Sequence, residues 1–356
     1  DYTGGGCPHI LAEPQRTNVI EYSEDFTQSY WGKNKVTVTA DSLISPSGDL
    51  NASLIQETVY SSSIPSFALQ NATTLSAGAY TYTFYVKNNI GRYLGISFGA
   101  NSQRVRTNFD FDTQTFKTLI FNGTTTGSAS FTTLGDYYRI TITATFPSST
   151  NVNAVLMPLA TDTYPYYDLQ NSDNRSFYLW GAEIKDGTYP TSYIPTSGST
   201  VTRNQDIFTR DGIGSLINST EGVLFAEWKP KISSDYSFFS INNGTSAETV
   251  TIGKNNNTTT MFLAVRHLGG YEILYTSASH DLTIFNKVAV KWKAGDYAIW
   301  VNGVEVLTST SATIPTAMNK LSFDFGDGGF DFYGEIKQLQ VYNTALTDTQ
   351  LAALTS

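Results

Sequence analysis

The residues most able to do chemistry in this chain are a few acids, one short basic-aromatic cluster and one tyrosine-rich loop. Asp110 and Asp112, in Asp110-Phe-Asp112, fall on one face of an extended strand. Asp324 and Asp331 are candidates to face one another across neighbouring strands. Paired carboxylates break glycosidic bonds when they stand about 5 Å apart (retaining) or roughly 6.5–9.5 Å apart (inverting). Surface solvation or a turn role is the simpler reading of both pairs, and no catalytic residue is assigned. His267 follows Arg266 and precedes Tyr271 and Tyr275, the residue types that a polysaccharide lyase combines. The three histidines, His9, His267 and His280, share no zinc-ligand spacing. The run Asp324-Phe-Gly-Asp-Gly-Gly-Phe-Asp331 offers oxygen ligands, so calcium is the one metal with a place in the reading, although the spacing is not that of an EF-hand.

Sugar binding asks for less: flat rings to stack on sugar faces and a few polar groups for the hydroxyls. The segment Ala160–Ser176 holds Tyr164, Tyr166 and Tyr167 around Pro165, then Asp168, Gln170, Asn171, Asp173 and Arg175. A loop displays tyrosine at little entropic cost. Packing of these rings on the sandwich or on a neighbouring subunit is the competing reading. A second candidate is a sheet face carrying Arg266, His267, Tyr271, Tyr275 and Trp300. Alternation along 297–302 places Ala298, Trp300 and Asn302 opposite Tyr297, Ile299 and Val301, which turns Trp300 toward solvent, with core or inter-domain packing of this face as the simpler reading. The carbohydrate-binding candidates are therefore Tyr164, Tyr166, Tyr167, Asp168, Arg175, His267, Tyr271 and Trp300.

The elements that must position these residues are strands. Charged residues make up 15% of the 356 and aromatics 13%, with hydrophobics at 40%, which excludes disorder and suits Thr- and aromatic-rich sandwiches. Net charge is −9 with no basic cluster, which argues against nucleic acid as a partner. One cysteine, Cys7, allows no internal disulfide framework. No apolar run approaches the ~20 residues of a membrane-spanning helix, so membrane insertion is not expected. The chain opens on Asp1 without Met, which reads as a fragment or a processed product whose N-terminal part is expected to be missing.

Tyr138, Ile140, Ile142, Ala144 and Phe146 alternate with Arg139, Thr141, Thr143 and Thr145 in the cleanest strand pattern of the chain. Similar patterns recur about every 8–12 residues, as in sandwiches and barrels. Along Phe177–Ile184, Tyr178, Trp180, Ala182 and Ile184 fall on one face, and Phe177 and Leu179 on the other. Gly187, Pro190, Pro195 and Gly198 then end the ladder and read as an exit into a second domain. Asn302-Gly303 between alternating runs predicts a type I′ hairpin. Thr347-Asp-Thr-Gln350 has capping-box spacing before one short C-terminal helix. The fold expected is all-β: a lead-in at 1–18 packed along the first sandwich, a β-sandwich (jelly roll) at 19–203 and a second at 204–356.

YLWGAEIKDGTYPTSYIPTSGSTVTR and DYTGGGCPHILAEPQRTNVIEYSEDFTQSYW resemble the closing and opening segments of a domain common in phage tail fibres and head-spike fibres. INSTEGVLFAEWKP and QLQVYNTALTDTQLAAL are similar to the entry and the ending of the concanavalin A-like (laminin-G-like) sandwich that often follows it. The resemblance implies a virion component, usually a homotrimer, that attaches to host-surface polysaccharide or glycan and to other virion proteins through the missing N-terminal part. It implies adhesion without catalysis. A purely structural spacer, or a lyase or glycosidase on the same fold, is the alternative.

Overall fold

The computed structural model describes residues 8–58, 67–70, 73–100, 102–159, 174–232, 235–256 and 260–356. The chain divides into two compact units, 15–204 and 1–14 with 205–356, and each is a sandwich of antiparallel sheets.

In unit 15–204, one sheet runs in the order Thr126–Leu134, Tyr137–Phe146, Gly78–Ile90, Ser176–Asp186, Leu50–Glu57, Val36–Ile44. The facing sheet is built on Gln103–Asp110, Tyr93–Ala100 and Thr150–Leu159. Strict alternation explains the packing. Tyr82, Phe84, Val86, Ile140, Ile142 and Phe146 point inward from the first sheet and meet Leu94, Ile96, Phe98 and Phe109 from the second. Each large apolar side chain so buried contributes about 1.5–3 kcal/mol.

The strand Ser176–Asp186 departs from its predicted alternation. Phe177, Leu179, Ala182 and Ile184 all enter the core, whereas Tyr178 and Trp180 pack on the outer face. A β-bulge between Trp180 and Glu183 resets the period, and Gly181 there has φ +64. That conformation suits glycine, and a Cβ would stand 2.9 Å from the Tyr85 ring. After the bulge Glu183 and Lys185 point outward, yet both are buried. The segment predicted as an exit lies across them. Lys185 Nζ donates to Thr191 O at 3.2 Å and Ser192 O at 3.0 Å, and Ile194 N donates to Glu183 Oε2 at 3.2 Å. The Tyr193 ring stands 4.6 Å from that of Trp180. Glu183 pairs with Lys185 at 2.8 Å and with Arg139 at 3.6 Å. Burial pushes the Glu183 carboxyl up from its ordinary value, against the pull of Lys185 and Arg139.

The other unit has one sheet in the order Ile10–Ala12, Gly334–Tyr342, Glu221–Pro230, Asn286–Lys293, Tyr297–Val301, Val304–Ser309. The other runs Thr209–Arg210, Lys320–Ser322, Ser237–Asn242, Thr249–Lys254, Met261–His267, Gly270–Ser277. Trp228, Trp292, Tyr297 and Phe239 fill the space between. Asn302 and Gly303 have φ +49 and +83, the expected hairpin turn. The helix Asp348–Thr355 starts on the predicted capping box of Thr347 and Gln350. The lead-in differs from expectation. Ile10–Ala12 pairs with Gly334–Ile336 and so completes the second sandwich, while Arg16–Asn18 pairs with Val201–Arg203 in the first. Three-residue strands carry too little pattern to choose a partner sheet.

Replacing Lys185 by Met leaves Glu183 buried without its nearest cation. A loss of roughly 3–5 kcal/mol is expected, read as a lower urea midpoint for the tryptophan signal of the first sandwich; a variant within 1 kcal/mol of wild type would refute the pairing.

Candidate functional site

Tyr164, Tyr166, Tyr167 and Asp168 lie outside the described residues. Arg175, the last member of that candidate set, does not face solvent. Its Nε donates to Glu57 Oε2 at 2.8 Å and its Nη2 to Glu57 Oε1 at 2.9 Å, and both side chains are buried. A bidentate pair of this kind orders the end of a strand.

The second candidate face is not one face. Trp300 belongs to the sheet opposite that of His267 and Tyr271, and its outward side is covered by the C-terminal helix. It is 8% exposed, packed with Val223, Phe225 and Leu351. Alternation located it on the outer side correctly but carried no sign of the helix that covers it. Tyr275 leans on the core and its hydroxyl meets His280 Nε2 at 2.9 Å. His267 turns to Glu248, with Nδ1 3.0 Å from Oε2. Glu248 also accepts from Leu268 N at 3.0 Å and Thr316 N at 2.8 Å. Burial works against its ionised form, but these donors outweigh it and its pKa lies below the ordinary value. The Tyr-His-Arg set of a lyase is therefore divided: Arg266 and Tyr271 meet, and His267 and Tyr275 serve other partners.

What the second sandwich does assemble is a shelf of rings on the outer face of the sheet that carries Arg266. Phe238, Phe262, Ala264 and Phe325 form its base, with Phe238 5.0 Å from Phe262 and 4.8 Å from Phe325. Gly253 makes room for them, since a Cβ there would lie 2.3 Å from the Phe238 ring. Tyr271 borders the base at 6.2 Å from Phe262 and is 48% exposed. Phe330 (54% exposed) and Tyr236 (38%) stand 5.0 Å apart at another border. Only four Phe and Tyr side chains are exposed among the described residues, and three of them are here. Phe330 also sits at φ +62, a left-handed conformation that a bulky residue adopts at a cost of about 1–2 kcal/mol. Strain that displays an apolar ring to water fits a binding surface better than a packing role. Arg266 lies between rings, 5.2 Å from the Tyr271 centroid and 5.3 Å from Phe325.

Most of this was missed in the sequence because the rings come from four separate segments. The turn-rich run at 324–331 was read for its acids, whereas it contributes Phe325 and Phe330. Its acids are engaged one by one. Asp324 Oδ1 accepts from Ser322 Oγ and Gly326 N, Asp327 from Gly329 N, and Asp331 from Gln205 and Tyr333. Asp324 is near enough to Asp331 to add to the burial that raises the Asp331 carboxyl, and among the described residues no cluster of three metal-capable side chains occurs.

The pair Asp110 and Asp112 is likewise accounted for. Asp110 is fully buried, receives Arg92 Nε at 3.0 Å and Nη2 at 2.9 Å, and caps the turn through Asp112 N. Arg92 holds its carboxyl down at about 2. The spacing Gly95-Ile-Ser97-Phe-Gly99 is that of a nucleophile elbow, a motif that the sequence reading held to be absent. Ser97 lies in mid-strand and fully buried, without the strand-to-helix turn that an elbow requires.

Residues 226–352 match the concanavalin A-like lectin/glucanases superfamily. No curated protein matches the chain. Among solved structures, it is similar to the CBM40 domain of the Ruminococcus gnavus IT-sialidase bound to alpha2,3 sialyllactose, at 21% identity over 42% of this chain and 98% of that one, with a TM-score of 0.34. It is similar to the heptameric SAP-like pentraxin of Limulus polyphemus at 17% identity over 39% and 70%, TM-score 0.32. Domains LG4-5 of the mouse laminin alpha1 chain align at 11% identity over 81% and 91%, TM-score 0.26.

Because the Asp110 pKa is lowered on folding, its contribution is present above the ordinary carboxylate value of 3.8 and is lost as pH falls toward about 2. Asp110→Asn is expected to be less stable than wild type at pH 7, with the difference closing between about pH 4 and pH 2. Thermal unfolding across that range checks it, and a gap that persists at pH 2 contradicts it.

Proposed function

We propose that this chain is an adhesin-like component of a phage fibre or spike that binds host-surface glycans without cleaving them. The observation that carries the reading is the exposed shelf of Tyr271, Phe330 and Tyr236, backed by a rigid base of phenylalanines. Sugar rings stack on such faces, and apolar surface beside a few polar groups is the usual composition of a ligand site. The shelf lies within residues 226–352, the span that matches the lectin and glucanase superfamily, which supports the sugar-binding side of the proposal. Support for adhesion over hydrolysis comes from the acids. Asp110, Glu248, Asp324 and Asp331 each accept hydrogen bonds from separate protein donors, an arrangement suited to holding turns and strand ends. The resemblance of both ends of the first sandwich to fibre domains supports a virion location, attachment to further virion proteins and a homotrimer. Three copies would add avidity to weak single sites.

A glycan array probed with wild type, Tyr271→Ala and Phe330→Ala tests the reading. Each variant is expected to lose about tenfold or more in affinity, since removal of one stacked ring costs roughly 1–3 kcal/mol. The same glycans, incubated with the protein and assayed for new reducing or unsaturated ends, should remain intact. Absence of binding by wild type would favour a structural spacer, unchanged binding by both variants would remove the shelf as the site, and released ends would favour a depolymerase.

A further inference from the structure

Arg266 differs from four other arginines of the chain. Arg16, Arg92, Arg139 and Arg175 each have a carboxylate within 4 Å, at 3.6, 2.9, 3.6 and 2.8 Å. Arg266 has none among the described residues. The acids on the neighbouring strands are engaged elsewhere: Glu248 with His267, Leu268 and Thr316, and Glu272 with Ser311. Its Nη1 donates to Ser246 O at 2.5 Å and its Nη2 to Gly269 O at 2.8 Å, which leaves one further N–H on each terminal nitrogen of the planar fork. Nε is buried with no acceptor. The guanidinium is thus fixed by two backbone carbonyls and two rings, while its charge has no counter-ion among the described residues.

A fixed cation at the border of an apolar shelf is a recognition element for an anion. We infer that the shelf selects glycans bearing a carboxylate, and that Arg266 is the residue that selects them; this rests on the adhesive reading above. The sugar ring covers the open face of Tyr271, and its carboxylate meets the free N–H groups of the fork, a charge-assisted contact stronger than any a neutral hydroxyl makes. The net charge of −9 does not oppose this. At physiological salt, charges beyond about 8 Å are largely screened, whereas a contact at hydrogen-bond distance is not. A single carboxylate per sugar also suits one arginine, where a densely sulfated chain would need a wide basic field.

The test uses an array of uronate- and sialate-bearing glycans, each beside its carboxyl-reduced, neutral form. Wild type is expected to bind the acidic form about tenfold more tightly, with the margin shrinking as salt rises. Arg266→Gln should bring that ratio close to one while retaining the residual binding of the neutral form, and Arg266→Lys should keep part of it. Equal binding of both forms by wild type, or a preference that survives in Arg266→Gln, overturns the assignment and leaves the adhesive reading standing. Binding to neither form overturns both. If Arg266→Gln fails to fold, as judged by its thermal transition, the wild-type comparison of acidic and reduced forms decides alone.

Discussion

The buried pair of Glu183 and Lys185 is the constraint on which the first sandwich turns. Two charges removed from water cost several kcal/mol each unless their remaining donors and acceptors are met. Here they are met by the backbone of residues 191–194, so a glycine-, proline- and serine-rich run without regular structure is held against the sheet. Neither partner can be given up singly. The strap cannot lift without exposing the pair, and the pair cannot stay buried without the strap. The bulge at Gly181 makes the arrangement possible, because it turns Glu183 and Lys185 to the outer face while Ala182 and Ile184 return to the core.

Where the physics is local, the sequence was legible. The strands around Tyr138–Phe146 and Tyr80–Val86, the Asn302-Gly303 turn and the capping box of the last helix depend on neighbours a few residues away, and their patterns survive in the fold. Where a distant element intervenes, the pattern misleads. Trp300 alternates outward as read, yet the helix from the chain end lies on it. Arg175 looks like a hydroxyl-binding side chain until Glu57 appears beside it. Of the residues that form the shelf, Tyr271 was among those named from the sequence. Phe330 and Tyr236 were not, because no spacing rule links residues brought together only by sheet register and a covering loop.

The outer faces of the two sandwiches are treated differently. One sheet of the first is partly covered by the strap, and one sheet of the second by the helix and its Leu351. The ring shelf has a covering loop too, but that loop adds rings to the surface, and glycines at 253 and 326 give the close approach that this needs. A rigid hydrophobic base with strained residues at its border is a preformed surface, so a ligand would find little left to order on arrival.

The short strand Ile10–Ala12 closes the sheet that also contains Gly334–Tyr342, near the opposite end of the polypeptide. On the ribosome, that early strand emerges long before its partner exists, and must wait while the whole first sandwich is synthesised. The second sandwich is therefore a discontinuous unit whose last ladder forms only once residues 334–336 have been made, a pairing of high contact order that belongs to the slow end of folding. A fragment beginning at residue 205 would carry an uncovered edge along Gly334–Ile336, ready to recruit a strand from another molecule.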